Sequence, residues 1–334
     1  RFENVQVAGD ATPHGENEMC LRVDKLVSVS DLTIVDSGFS QCDYGWYFFK
    51  SEVADWATGG TYVRNVAVAN TSFIENSYKG IYAEKLSDAS FVDCVVRDNG
   101  HYDFWNGVWN AGIDINLKGQ EMYKNLTFKN LYMAGNGLGA KEGAGLMVKA
   151  RDDATSYNAY PASLTNVTIE GGTFTGNERG IRIGEPGKNN LGPLNVQIHN
   201  AAIYGNNHTY AGADGSLYGG VINQSQAVVD AINNWWGAAN GPSGDGSGSG
   251  DAVRHTSGLV LFNPFLTTAP AAALIVPGTP VHLATGAASF TLPVNLNPSA
   301  GSLSSVAFSL DYDTACLSIN PTDSNGDGIP EAIS

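Results

Sequence analysis

An all-β solenoid, wound from three short strands per coil, is predicted by three observations. A twelve-residue frame recurs five times without a gap and ends each time in Asn. Each frame is followed by a turn or loop and then a strand led by Gly. The 334-residue chain carries 40 glycines but no long stretch of helical period. Gly supplies turns, so this composition favours many short strands over long helices.

The frames are 65–76 (NVAVANTSFIEN), 88–99 (DASFVDCVVRDN), 125–136 (NLTFKNLYMAGN), 166–177 (NVTIEGGTFTGN) and 195–206 (NVQIHNAAIYGN). Their second position is apolar (Val66, Ala89, Leu126, Val167, Val196). So are the fourth (Val68, Phe91, Phe128, Ile169, Ile198) and the ninth (Phe73, Val96, Met133, Phe174, Ile203). Alternation at positions two and four is strand period. A sixth, weaker frame reads LVSVSDLTIVDS at 26–37, and residues 2–9 read as the tail of another. The Gly-led strands begin at Gly45, Gly80, Gly112, Gly145, Gly180 and Gly220.

A strand–turn–strand–turn–strand unit of this kind buries its apolar positions only by stacking on its copies. The predicted architecture is therefore a parallel β-helix over residues 1–266, with equivalent residues about 4.8 Å apart on successive coils. Propeller blades would need four strands each and no gapless frame. The closing Asn of each frame (Asn76, Asn99, Asn136, Asn177, Asn206) is expected at a turn, where it tolerates left-handed backbone and its amide bonds to the next coil.

Charge narrows the partners. Eighteen basic against 33 acidic residues give a net charge of −15, with no Lys/Arg cluster, which argues against nucleic acid and anionic membrane. No apolar run reaches the ~18 residues of a membrane span. The acidic balance suits an extracellular or cell-surface protein. The chain opens inside strand-like sequence (Phe2–Val7) and reads as a mature or partial chain. The four cysteines lack a Cys-x-x-Cys pattern, so a structural zinc is not expected. Cys20 and Cys42 lie in neighbouring segments and are the candidate disulfide, while Cys94 falls at a core position as a free buried thiol.

Two surfaces are candidates for chemistry. With Ile, Leu or Val inward after each Gly, the third strands project an outward row. Its members are Tyr47 and Phe49, Tyr82 and Glu84, Asp114 and Asn116, Met147 and Lys149, and Arg182, begun by Arg22. Following loops add Arg151, Asp152, Asp153 and Glu185. Glu84, Asp114, Lys149 and Arg182 are the catalytic candidates. Lys149, Arg151 or Arg182 would act at a uronate C5 proton or carboxylate in a lyase. Glu84 and Asp114 would be the carboxylate pair of a hydrolase, which needs a separation of about 5–9.5 Å. The plainer alternative is exposed ion pairs between coils, which contribute little. The second surface is aromatic. The insertion 101–112 (HYDFWNGVWNAG) supplies His101, Tyr102, Trp105 and Trp109, and the insertion 207–219 adds Tyr210 and Tyr218 on the same edge. Exposed rings stack on sugar faces, and the alternative is local packing.

The repeats, together with the closing stretch AINNWWGAANGPSG at 231–244, resemble the right-handed parallel β-helix repeat proteins of bacteria, the pectate-lyase-like superfamily. The right hand is implied by that resemblance. The superfamily includes polysaccharide lyases, glycoside hydrolases, epimerases, adhesins and tailspikes, so the resemblance implies fold more than activity. Its hydrolase signature (Asn-Thr-Asp, Asp-Asp, Gly-His-Gly) is absent. The nearest fragments, Arg151-Asp152-Asp153 and Asn99-Gly100-His101, do not complete it.

Residues 238–258 read as a polar Gly/Ser loop, 258–266 as a last closing strand and 267–278 as a linker. From 279 to 334 isolated alternating strands resemble the opening half of a cohesin-like β-sandwich, well short of the ~100 residues a full sandwich needs. Open strand edges in such a piece invite pairing with another copy, giving a homo-oligomer or filament. Asp323, Asn325, Asp327 and Glu331 in DSNGDGIPE have the spacing of a structural calcium loop of the dockerin or thrombospondin-type-3 kind. Two functional readings follow. One is a structural or adhesive surface protein with glycan-contacting faces. The other is a polysaccharide lyase or glycoside hydrolase.

Overall fold

The structure is a computed structural model and describes residues 1–13, 15, 18–50, 60–102, 109–206 and 217–270, all within one unit of the chain, Arg1–Ala300. The stretches expected to form a half-sandwich and a calcium loop, Asp323, Asn325, Asp327 and Glu331 included, lie outside the described residues. So do Trp105 and Tyr210.

The described strands form three sheets of nine, seven and nine strands, and every pairing within them is parallel. Each of the first seven coils contributes one strand to each sheet, so the chain is a parallel β-helix. The frames stack in register. The second-position column runs Leu32, Val66, Ala89, Leu126, Val167, Val196, Val229, Val260. Position four (Val68, Phe91, Phe128, Ile169, Ile198) and position nine (Phe73, Val96, Met133, Phe174, Ile203) are buried in one continuous core. Identical side chains meet where the sequence repeats them: Phe91 stacks on Phe128 with ring centroids 5.5 Å apart.

The closing asparagines form an internal amide ladder. Asn76 donates both its backbone N–H and its amide to Asn99 Oδ1, at 3.0 and 2.8 Å. Asn99 does the same to Asn136, Asn136 to Asn177 and Asn177 to Asn206. The second amide hydrogen reaches back to a carbonyl of the preceding coil, for example Asn136 Nδ2 to Val96 O at 2.9 Å. Each buried amide is thereby satisfied, as an interior polar group must be. The ladder is polarised and ends on a carboxylate, since Asn206 donates its N–H and amide to Asp251 Oδ2 at 3.0 and 2.8 Å. Burial raises the Asp251 pKa, opposed by these same donors.

The left-handed turns are not at these asparagines. They fall at frame positions one, six and eleven. In the 65–76 frame these are Asn65 (φ 55°), Asn70 (φ 48°) and Glu75 (φ 56°), and in the 125–136 frame Asn125, Asn130 and Gly135. The sequence reading assigned the turn geometry to the wrong member of the Gly/Asp–Asn pair. The closing Asn is spared so that its side chain points inward. Asn at position one makes a second ladder on the surface, from Asn195 through Asn166 and Asn125 to Asp88, polarised in the opposite sense.

The ladder also explains the Gly that opens each third strand. A Cβ on Gly112 would stand 2.7 Å from the Gly145 carbonyl oxygen and 2.8 Å from Asn136 Cγ. Only a residue without a side chain lets the third sheet approach the amide column this closely.

Three expectations need correction. The sixth frame is 31–42, not 26–37, because Leu32 pairs with Val66 and Ile34 with Val68. Leu26 and Val27, read as its apolar start, are exposed. Cys42 then takes the twelfth position. Its N–H donates to Asn76 Oδ1 at 3.2 Å, and its sulfur is bonded to Cys20. The stretch 238–258 is not wholly loop, since it contains strands Pro242–Gly244 and Gly250–His255 of the third sheet. Val253 pairs with Val221 and is buried, which fixes Asp251 at the ladder's end. A short helix, Ala154–Ala159, interrupts one connection and was not foreseen. Cys94 is a buried free thiol whose pKa is pushed up to about 12, chiefly by burial.

Candidate functional site

The outward row of the third sheet is in register: Arg22 pairs with Tyr47, Tyr47 with Tyr82, Tyr82 with Asp114, Asp114 with Met147 and Met147 with Arg182. Beside it Asn116 pairs with Lys149. Asp114 and Arg182 are thus two coil steps apart, about 10 Å along the axis.

These charges are not exposed ion pairs. Asp114 and Arg182 are 0% exposed, Lys149 is 2% and Glu84 is 3%. Alternation along a strand tells which side a residue faces but not what lies above it. Here side chains from the connecting loops close over the row. Glu142 lies on Arg182 (3.5 Å), Glu185 on both Lys149 (4.0 Å) and Arg151 (3.3 Å), and Lys118 on Glu84.

Asp114 is the centre. Its Oδ2 accepts from Lys79 Nζ at 2.7 Å, and Lys149 Nζ stands 3.6 Å from Oδ1. Burial alone would raise the carboxyl's pKa, but Lys149, Lys79 and Arg182 outweigh it and hold it down to about 2. Burial also lowers the Lys149 pKa, opposed by Asp114 and Glu185. Glu84 is committed elsewhere: Oε1 takes the Tyr82 hydroxyl at 2.9 Å and the Lys118 ammonium, and Oε2 takes the Lys50 N–H at 2.9 Å. Lys79 also sits over the Tyr82 ring, 3.9 Å from its centroid.

A general acid needs a carboxyl whose pKa is raised toward the working pH, so Asp114, held ionised, is suited only to the nucleophile or base role of a hydrolase pair. The arrangement does suit a ligand with a planar anionic group. Arg182 Nη1 is pinned by the Glu142 carbonyl oxygen at 2.9 Å, while Nε and Nη2 have no hydrogen-bond partner. Those two hydrogens share one edge of the guanidinium, the edge that takes a carboxylate in bidentate fashion. Asn116 Oδ1 and Gln224 Oε1 on the same sheet are likewise buried acceptors without a hydrogen-bond donor, and Asp114 Oδ1 has only the Lys149 ion pair at 3.6 Å. Buried polar groups left without partners cost about 1–3 kcal/mol each.

Lys79, Glu142 and Gln224 escaped the sequence reading. The only signal for Lys79 was its place just before Gly80, one register step from the row. Of the aromatic candidates, His101 is exposed, with Nδ1 3.0 Å from the Asp98 carbonyl oxygen. Tyr102 and Trp109 are half exposed, and Tyr102 packs edge-on against Tyr78. Tyr218 is also half exposed, beneath the Arg254 guanidinium at 5.0 Å. The two insertions follow Asn99 and Asn206, three coils apart, so about 14 Å of axis separates them. Among the described residues no cluster of His, Cys, Asp and Glu could hold a metal ion, and no helix is long and apolar enough to cross a membrane.

No protein-family model matches the chain, and none of the curated proteins matches it. Among solved structures, the A-module of the mannuronan C-5 epimerase AlgE4 from Azotobacter vinelandii is similar at 17% identity and a TM-score of 0.41, covering 71% of this chain. The chain spans 60% of that module's length. At that level of likeness the parallel β-helix assignment rests on the chain's own three sheets.

Proposed function

We propose that this chain is a polysaccharide-contacting β-helix that seats an acidic sugar on the outer face of its third sheet. The observation that carries this reading is Arg182, a fully buried guanidinium held by one nitrogen, whose Nε–Nη2 edge has no hydrogen-bond partner and would meet a sugar carboxylate once the Glu142 side chain lying on it is displaced. The open acceptors of Asn116 and Gln224 support it, because a sugar offers hydroxyl donors beside its carboxylate. The test is titration with polygalacturonate and with its carboxyl-reduced, neutral counterpart. Binding of the acidic polymer at least tenfold tighter is expected, and absence of binding to either sinks the reading.

A second reading is a lyase. Lys149 is the residue suited to take the C5 proton, since burial favours its neutral form. The electron pair would form the C4–C5 double bond as the C4–O4 bond breaks and the departing C4 oxygen takes a proton from water, while Arg182 holds the carboxylate. Appearance of unsaturated-uronate absorbance, lost in Lys149→Gln, is its signature. Its absence with binding intact leaves the non-catalytic, adhesive reading. An extracellular or cell-surface location, a structural calcium ion at Asp323–Glu331 and self-assembly through a half-sandwich from residue 279 belong to this proposal as well.

A further inference from the structure

The outward row changes character along the axis. On the coils of Asp114, Met147 and Arg182 it is charged around the small apolar cluster of Ala111, Ala144 and Met147. On the two coils before them it is a block of rings. Tyr47 lies 5.1 Å from Tyr44, 5.2 Å from Tyr82 and 5.6 Å from Phe49 between ring centroids, and Tyr44 stacks on Tyr78 at 5.6 Å. This block is separate from the interior core, which holds Trp46 and Phe48 from the same strand. Tyr47 and Phe49 are partly exposed, whereas Tyr44, Tyr78 and Tyr82 beneath them are buried.

From these positions we infer that Tyr47 and Phe49 form a second subsite, a stacking platform that takes sugar rings further along the same chain. The inference rests on the reading of the Arg182 cluster as the acidic-sugar site. Three features fix a saccharide as the occupant. The platform continues the charged row in unbroken register, through Tyr82 to Asp114. Its rings are mostly tyrosines, which present an apolar face with a polar rim as a sugar does. It is bordered by the cations Lys79 and Arg22, of which Lys79 also holds Asp114. From Tyr47 to Arg182 is four coil steps, about 19 Å, so one extended oligosaccharide lying along the axis would reach both.

The consequence is length-dependent binding, since a second contact on one ligand multiplies affinity only when the ligand spans both. Oligogalacturonates from two to eight residues are titrated into the full chain. Affinity is expected to rise at least tenfold once the oligomer spans the row. In Tyr47→Ala, affinity for the longest oligomer should fall to near that of the shortest, whose own binding is unchanged. Phe49→Leu should fall part of the way. Affinity independent of length, or equal weakening of short and long oligomers by Tyr47→Ala, overturns the subsite while leaving the Arg182 reading intact. If no oligomer of any length binds, that reading itself falls and takes this one with it. Should Tyr47→Ala fail to fold, the length series on the unaltered chain decides alone.

Discussion

Asn136→Ala is expected to destabilise the β-helix by about 3–5 kcal/mol in denaturant unfolding. The side chain is fully buried. Removing it deletes the bonds from Nδ2 to Val96 O and to Asn177 Oδ1. It also strips the acceptor from the backbone N–H and the amide of Asn99. The buried backbone N–H of Asn99 then loses its acceptor, and its amide keeps only the Phe73 and Arg97 carbonyl oxygens. Because the bonds all point one way and end on Asp251, each polarises the next, so a break at mid-ladder is felt on both sides. Asn195→Gly supplies the contrast. Asn195 has a left-handed backbone that Gly accepts, and it makes one exposed amide bond, to Asn166. Its loss should stay within about 1 kcal/mol. Equal effects of the two changes would mean that the interior ladder is no more than incidental to stacking.

Asp114→Asn is expected to cost a similar amount, about 3–5 kcal/mol near neutral pH, because it leaves Lys79 buried without its counter-charge and Lys149 with only the more distant Glu185. The pH dependence separates this from simple loss of packing. In the unaltered chain the Asp114 carboxyl is lowered from 3.8 to about 2. Its contribution, about 2 kcal/mol, is therefore present above pH ~4 and lost as pH falls through about 2. Asp114→Asn should show no such acid-sensitive component. The deficit of the variant should also shrink as pH rises toward 10. Asp114, ahead of Glu185, supports the Lys149 charge against burial, and without it the amine sheds its proton more readily. A deficit constant from pH 3 to 10 contradicts this account of the cluster.

Much of the fold was legible in the sequence because a β-helix repeats its side-chain register. Five aligned frames gave the columns of Val68, Phe91 and Phe128 and of Asn99, Asn136 and Asn177 before any coordinate. What failed did so for identifiable reasons. The first full frame was misplaced by five residues because Val27 and Val29 mimic its apolar alternation, while its closing Asn is replaced by Cys42. The ladder's last member was hidden because Asp251 stands in a run of Gly and Ser that reads as loop. Strand period put Glu84, Asp114, Lys149 and Arg182 on one face, correctly as to side. Period carries no information about Glu142, Glu185 and Lys118, which come from connections of irregular length and bury the row. Strand period thus reads the side of the sheet the row faces but not its burial.

Hydroxyl-radical footprinting with and without saturating polygalacturonate tests most directly whether the third sheet is the glycan surface. Tyr47, Tyr218 and Tyr102 report on that sheet's outer face and edges, and Met122 and Leu26, exposed on and beside the first sheet, serve as controls. Protection of Tyr47 and Tyr218 with Met122 unchanged is the expected result. Protection confined to Met122 and Leu26, or none at a polymer concentration that saturates binding, would contradict the account.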